Sequence, residues 1–279
     1  VKTVVDDAVV ALRRDFSEAD RVIELLTCRH GKVSAFAVKA KSSHKRFVGG
    51  LELGSWLKVW LRPRASGLWR LEKVELVENF PGLRQSLEAT AKAMYALELC
   101  KEVFQEGESM GGVFPALMRL MKNLQRIPGA VAPLMRFELA LLSYAGWAPQ
   151  LQACELCKAQ VLGQSVMVFS SEGVVCTSCA QHADKPLVLS KEALMLLLML
   201  QRQAYADLNT QQNAKQCLQK HKASELSSQS TSPPSSNAFP KPFPDKKHIS
   251  EMRSFLDRLW HSHLGKELKA RAFMDEIAI

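Results

Sequence analysis

Two Cys-x-x-Cys pairs constrain this chain more than any other feature. Cys154-Glu-Leu-Cys157 and Cys176-Thr-Ser-Cys179 are separated by 18 residues, a spacing at which two tight turns can converge on one tetrahedral ion. The segment between them must therefore fold back on itself. Apolar Val166 to Phe169, then Gly173 and Val174-Val175, predict that return as a short hairpin. Four thiolates close the tetrahedron and leave no position for water, so the expected ligand is one structural zinc ion rather than a catalytic one. Buried or redox-active cysteines at a coincidental spacing are the competing reading. The total of seven cysteines is odd, which argues against a disulfide framework. Cys28, Cys100 and Cys217 stand alone and are expected to be core or incidental thiols.

A module of this size needs a larger body to sit on. The chain has 279 residues, 47% hydrophobic and 23% charged, enough apolar material for two or three modest domains. Its longest apolar run, Ala193 to Leu200, is eight residues, far below the roughly 20 that cross a bilayer. Asp6, Asp7, Arg13 and Arg14 interrupt the first apolar stretch, so no targeting segment is read there and a cytosolic protein with no membrane partner is expected.

The formal charge is +9, and it is concentrated. Between Arg29 and Arg64 lie nine basic residues, Arg29, Lys32, Lys39, Lys41, Lys45, Arg46, Lys58, Arg62 and Arg64, against one acid, Glu52. A local excess of this kind implies a local binding surface for a polyanion. The same region has the pattern of a small five-stranded barrel. Candidate strands run Val4–Arg13, Arg21–Cys28, Lys32–Lys39, Ser55–Leu61 and Leu68–Val77, punctuated at His30-Gly31, Gly49-Gly50 and Ser66-Gly67. Val4, Ala8, Val10 and Leu12 share one parity and are expected inward.

In the fourth strand Leu57, Val59 and Leu61 share one face. Trp56, Lys58, Trp60 and Arg62 share the other, where indoles interleaved with cations resemble a stacking surface for unpaired bases. A competing role for the two tryptophans is to pack beneath a following domain. Lys39-Ala-Lys41-Ser-Ser-His44-Lys45-Arg46 has no strand periodicity and reads as a basic loop suited to phosphates.

After Pro81-Gly82 the period becomes helical. Helices are expected from Leu83 to about Gly107, from near Pro115 to Ile127, and from Ala132 to Tyr144. Ser190 should cap a helix that is apolar nearly all round and therefore deeply buried. Residues 209–247 are Gln, Ser, Lys and Pro rich and read as a disordered linker. A terminal helix from Ser250 to Leu264 should return through Met252, Phe255, Leu256 and Leu259. The expected divisions are thus 1–80 barrel, 81–149 first helices, 150–184 metal module, 185–208 buried helix, 209–247 linker and 248–279 terminal helix. The fold class is α+β multidomain.

Covalent catalysis finds no support. None of the seven histidines is followed two residues on by Glu, as a zinc deaminase would need. There is no Gly-x-Ser-x-Gly elbow and no phosphate-binding Gly-x-x-x-x-Gly-Lys-[Ser/Thr] loop. A binding protein is expected, not an enzyme.

The ordered set Asp15-Phe-Ser-Glu-Ala-Asp-Arg-Val-Ile-Glu-Leu-Leu-Thr, His30-Gly-Lys-Val, Arg136-Phe-Glu-Leu-Ala-Leu-Leu, Tyr144-Ala-Gly-Trp, the paired Cys-x-x-Cys and Leu264-Gly-Lys-Glu-Leu-Lys-Ala-Arg resembles the bacterial DNA repair and recombination mediator family RecO. The similarity covers nearly the whole chain apart from the linker. It implies an N-terminal OB-fold barrel and an α-helical domain with an inserted four-cysteine zinc ribbon. It further implies binding of single- and double-stranded DNA, annealing of complementary strands, and loading of RecA, together with RecR, onto strands coated by single-strand binding protein. The family contacts the acidic, apolar tail of single-strand binding protein through its helical domain, for which Arg136 is the candidate cation. A cytoplasmic, nucleoid-associated location follows. The alternative is an OB-fold RNA-binding or ribosome-associated scaffold with a structural zinc, and a third reading is a purely structural zinc adaptor.

Overall fold

The computed structural model describes residues 2–43, 46–47, 51–65, 67–163, 165–168, 173–180, 187–209 and 245–277. Lys45, the Gly49-Gly50 turn, Cys217 and nearly all of the expected linker lie outside the described residues. The chain divides into two compact units. Among the described residues, the first comprises those up to Gly129 together with those from Leu268 onward, and the second comprises the rest. The first two helices cluster with the barrel in the first unit.

In the first unit, β1 (Val4–Asp15), β2 (Arg21–Thr27), β3 (Gly31–Ala37), β4 (Trp56–Arg62) and β5 (Trp69–Glu78) match the expected strands to within two residues at each end. They close into a barrel of order β1-β2-β3-β5-β4, sealed by antiparallel pairing of β1 with β4 and parallel pairing of β3 with β5. Alternation fills its interior: Val33, Ala35 and Ala37 of β3 and Leu57, Val59 and Leu61 of β4 are all fully buried in one core with Ile23, Leu25 and Trp69. Ala8 and Val10 join this core as expected, but Leu12 does not. A bulge at Ala11, where Val10 opposes Leu25 and Leu12 opposes Glu24, breaks the parity. Gly31 begins β3 at φ 64°, and a Cβ there would lie 2.1 Å from the Gln105 carbonyl oxygen, so only glycine fits.

A 3-10 turn (Pro81–Gln85) leads to α1 (Leu87–Val103), whose N-terminus is capped by the Ser86 hydroxyl accepting from the Ala89 amide at 3.2 Å. α2 (Val113–Arg126) carries Pro115 in its first turn, where the missing N–H is harmless.

The second unit is built on α3 (Ala132–Tyr144), α4 (Lys191–Asn209) and α5 (Lys246–Leu264). Met252, Phe255, Leu256 and Leu259 of α5 are fully buried, as their spacing predicts. The terminal segment is nonetheless two helices. Gly265, in the left-handed region at φ 65°, ends α5, and α6 (Lys269–Glu276) belongs to the first unit, where Glu98 of α1 accepts its Lys269 and Ala270 amides at 3.1 and 2.7 Å. Ser190 caps α4 through the Ala193 amide. That helix is not buried all round as expected: Ala193, Leu194, Leu197, Leu198 and Ala204 face the core, while Met195 and Tyr205 are exposed. Within the unit, α4 packs against α3, α5, β6 and β9.

The metal module also departs from the expected hairpin. β6 (Gln150–Cys154) pairs in parallel with β8 (Gly173–Val174), and β7 (Val166–Val168) pairs with β9 (Leu187–Leu189). Gly173 makes the first pairing possible, since a Cβ there would sit 2.5 Å from the Gln150 carbonyl oxygen.

Candidate nucleic-acid interface and metal centre

The four cysteines of the two pairs come together. Their sulfurs all lie within 4.8 Å of one another, and Cys157 and Cys176 are 3.8 Å apart. A tetrahedron with metal–sulfur bonds of about 2.3 Å has edges of about 3.8 Å, so the donor set fits an ion held by four thiolates. The first knuckle is shaped by the Lys158 amide donating to the Cys154 carbonyl at 2.9 Å and by Lys158 itself at φ 61°. Burial pushes the Cys154 thiol up, but the backbone amides of Cys157, Cys176 and Leu156, with the Cys157 side chain, outweigh it and bring the thiol down to about 6. Cys179 moves the other way, to about 12, chiefly through hydrogen bonds with the Cys176 and Cys157 sulfurs and the neighbouring charge at Cys154. A thiolate favoured by backbone donors suits a metal ligand, which must give up its proton to bind. Outside the cluster, Cys100 is a buried free thiol. Cys28, expected to stand alone, is instead disulfide-bonded.

The basic residues of the barrel separate into three groups. Arg29 and Lys32 are committed to the fold. Arg29 and the His30 imidazole both bind the fully buried Asp6 carboxylate, at 3.3 and 2.7 Å, and Arg29 also donates to the Val5 carbonyl. The Lys32 ammonium donates to the Lys101 carbonyl at 3.0 Å, satisfying the last turn of α1.

A second group shapes the loop after β3. The Lys41 ammonium donates to the Ser17 carbonyl and pairs with Asp15, each at 2.9 Å. The hydrogen bond from Lys41 to Asp15, assisted by Arg21, holds the Asp15 carboxyl below its ordinary value of 3.8. Arg46 donates to the Val38 carbonyl at 2.8 Å and lies over the Phe47 ring. Lys39 belongs to the same loop, where its amide is tied to Asp20.

The third group lies on the outer face of β4. Trp60 is half-buried, with the Lys73 ammonium 4.5 Å and the Lys58 ammonium 6.0 Å from its ring centre. Arg62 follows, paired with Glu72 at 2.6 Å but half exposed, and Arg64 is exposed beyond it. Trp56, on the same face, has a different role: its indole N–H donates to Asp7 at 3.1 Å and its ring meets Phe114 of α2 edge to face. Both tryptophans are half-buried, Trp56 against a helix and Trp60 beside the two lysines.

Lys73 and Arg70 were not among the expected residues. A bulge at Glu72 sets Trp60 opposite Lys73 and Arg62 opposite Arg70, which puts both β5 cations on the outer face. The signal in the sequence was Trp69-Arg-Leu-Glu-Lys, but alternation alone gives Arg70 and Lys73 opposite parities. In the second unit, Arg136 makes a two-pronged pair with Asp207 of α4, at 2.7 and 2.6 Å.

Comparison with known proteins places both the barrel and the helical part in one family. Residues 1–80 match the family model described as Recombination protein O N terminal, and residues 84–222 match Recombination protein O C terminal. The chain is 34% identical over 271 residues to the DNA repair protein RecO of Anaeromyxobacter sp. (strain K), covering 96% of this chain and 94% of that one. It is 32% identical to the RecO protein of Myxococcus xanthus, over 73% of this chain and 83% of the relative. With the RecO protein of Geobacter sulfurreducens it shares 34% identity, over 68% and 77%.

Proposed function

The chain belongs to the recombination protein O family of DNA repair proteins, and from that premise we propose that it binds single- and double-stranded DNA on its barrel, anneals complementary strands, and with RecR helps load RecA onto DNA coated by single-strand binding protein. It acts by binding rather than by covalent catalysis. The observation that carries this reading is the outer face of β4 and β5, where half-buried Trp60 lies between Lys58 and Lys73, with Arg62 and Arg70 opposite each other in register and Arg64 exposed past the end of β4. An aromatic ring among cations suits an unpaired strand: the ring accepts any base and the cations track phosphates, so affinity carries little sequence preference.

Zinc is the proposed occupant of the four-cysteine centre, as a structural ion joining β6 to the segment after β8. No helix among the described residues is long and apolar enough to cross a membrane, and a cytoplasmic, nucleoid-associated location is proposed. The tail of single-strand binding protein remains a proposed partner. Arg136 is the proposed cation for it, held in place by its two-pronged pair with Asp207.

The test is fluorescence anisotropy of labelled single-stranded DNA over a salt series, repeated with the complementary strand. Binding that weakens linearly in log salt, followed by annealing faster than the protein-free rate, is expected. No binding at low salt would make the basic face a protein-docking surface. Preference for an RNA competitor would favour the RNA scaffold.

A further inference from the structure

The most exposed large apolar side chain among the described residues is Phe16, at 68%, in the turn between β1 and β2. Such a ring is normally buried, and this one instead sits on a turn tied by many hydrogen bonds. The Ser17 hydroxyl accepts the Ala19 and Asp20 amides at 3.3 and 3.0 Å, and the Phe16 and Ser17 amides both donate to the Asp20 carbonyl. The loop after β3 braces the turn from the other side through the Lys41 amide to the Ala19 carbonyl, the Lys41 ammonium to the Ser17 carbonyl, and the Lys39 amide to the Asp20 carboxylate. Phe16 meets Phe36 of β3 edge to face, with ring centres 5.3 Å apart and planes at 90°.

Phe36 is half-buried and points out of the barrel, since Ala35 and Ala37 on either side are core. Its register neighbour across β3 and β5 is Arg70, whose own neighbour on β4 is Arg62. Phe36, Arg70 and Arg62 therefore lie side by side on the outer surface, with Trp60 the next outward-facing residue along β4. Strands are about 4.8 Å apart and two residues along a strand add about 6.8 Å, so Phe36 and Trp60 sit about 12 Å from each other, with the β5 cations between them. The acids nearby are mostly paired: Asp15 with Lys41 and Arg21, Glu72 with Arg62 and Glu75 with Lys73, the last two at 2.6 Å, while Asp20 holds the Lys39 amide and Glu18 stands in solvent.

We propose that Phe16 and Phe36 form a second base-stacking platform, so that one unpaired DNA strand crosses β5 with bases on Trp60 at one end and on the phenylalanine pair at the other. The proposal rests on the reading of the barrel as a DNA-binding surface and adds the path and the residues. It also explains why the turn is braced so heavily. A ring held in place beforehand loses little freedom when a base stacks on it.

The test compares wild type with Phe16→Ala, Phe16→Trp and Phe36→Leu in the full chain, with thermal midpoints confirming that each folds. The probes are labelled oligo-dT, an abasic strand of the same length and a duplex. Phe16→Ala is expected to bind oligo-dT about tenfold more weakly, with the salt slope unchanged because no cation is lost. Affinity for the abasic strand and the duplex, which offer no free base face, should stay the same, and Phe16→Trp should restore the loss. Wild-type binding to oligo-dT with no loss in either Phe16→Ala or Phe36→Leu would overturn the platform and leave the DNA-binding reading intact. Equal losses on all three probes would also overturn it, by showing that the turn acts only through the fold. Failure of wild type to bind any probe would instead defeat the underlying reading, and the platform with it.

Discussion

Glu138 shows how much one residue decides in this protein. Its carboxylate is fully buried and accepts from both terminal nitrogens of Arg253, at 2.6 and 2.8 Å, and from the Trp260 indole at 3.0 Å. A buried charge is tolerated only when so satisfied, and removing one partner strands the other. Glu138→Ala should therefore destabilise the second unit by about 3 kcal/mol, read as a lower urea midpoint. Glu138→Gln, which keeps an acceptor, should lose less. The same logic separates Arg29 from its neighbours in the basic window. Sequence grouped Arg29 with the phosphate-contacting cations, but it neutralises buried Asp6. No local pattern distinguishes the two uses, because the partner lies 23 residues away.

Among the elements, the metal module depends most on an outside agent. Its strands are short, β8 spanning only Gly173–Val174 and β7 and β9 three residues each, far too little pairing to hold two knuckles together unaided. Cys154→Ser should abolish stoichiometric metal binding, measured by metal analysis of the purified protein, and lower the thermal midpoint. Retention of one ion at unchanged stability would refute the assignment. The cysteine spacing was fully legible in the sequence. The pairing was not, because parallel β6–β8 contact depends on Gly173 admitting the Gln150 carbonyl.

For the molecule as a whole, the net +9 matters less than which cations are free. Replacing Lys39, Lys41, Lys45 and Arg46 together would also disturb the loop, because Lys41 and Arg46 hold it. A cleaner variant is Lys39→Ala, Lys58→Ala and Lys73→Ala combined. If each meets a phosphate, the slope of log affinity against log salt for single strands should flatten by about 2, as measured by anisotropy. A slope equal to wild type would remove these lysines from the interface. Arg29→Ala should do the reverse, weakening the barrel while leaving the slope alone.

Sequence by itself determined the five strands, the helical period that follows them, the cap at Ser190 and the four-cysteine centre. Each of these is written in short-range spacing: two residues for a strand, three to four for a helix, three for a knuckle. Tertiary structure decided what the same residues are for. Bulges at Ala11 and Glu72 reset which side chains face outward, helix α2 set Phe114 against Trp56 while Trp60 met Lys58 and Lys73, and Asp6 took Arg29 as an ion-pair partner. Those outcomes depend on contacts between residues distant in the chain. Alternation and charge density do not record such contacts, because they describe a residue's neighbours along the backbone and not its neighbours in space.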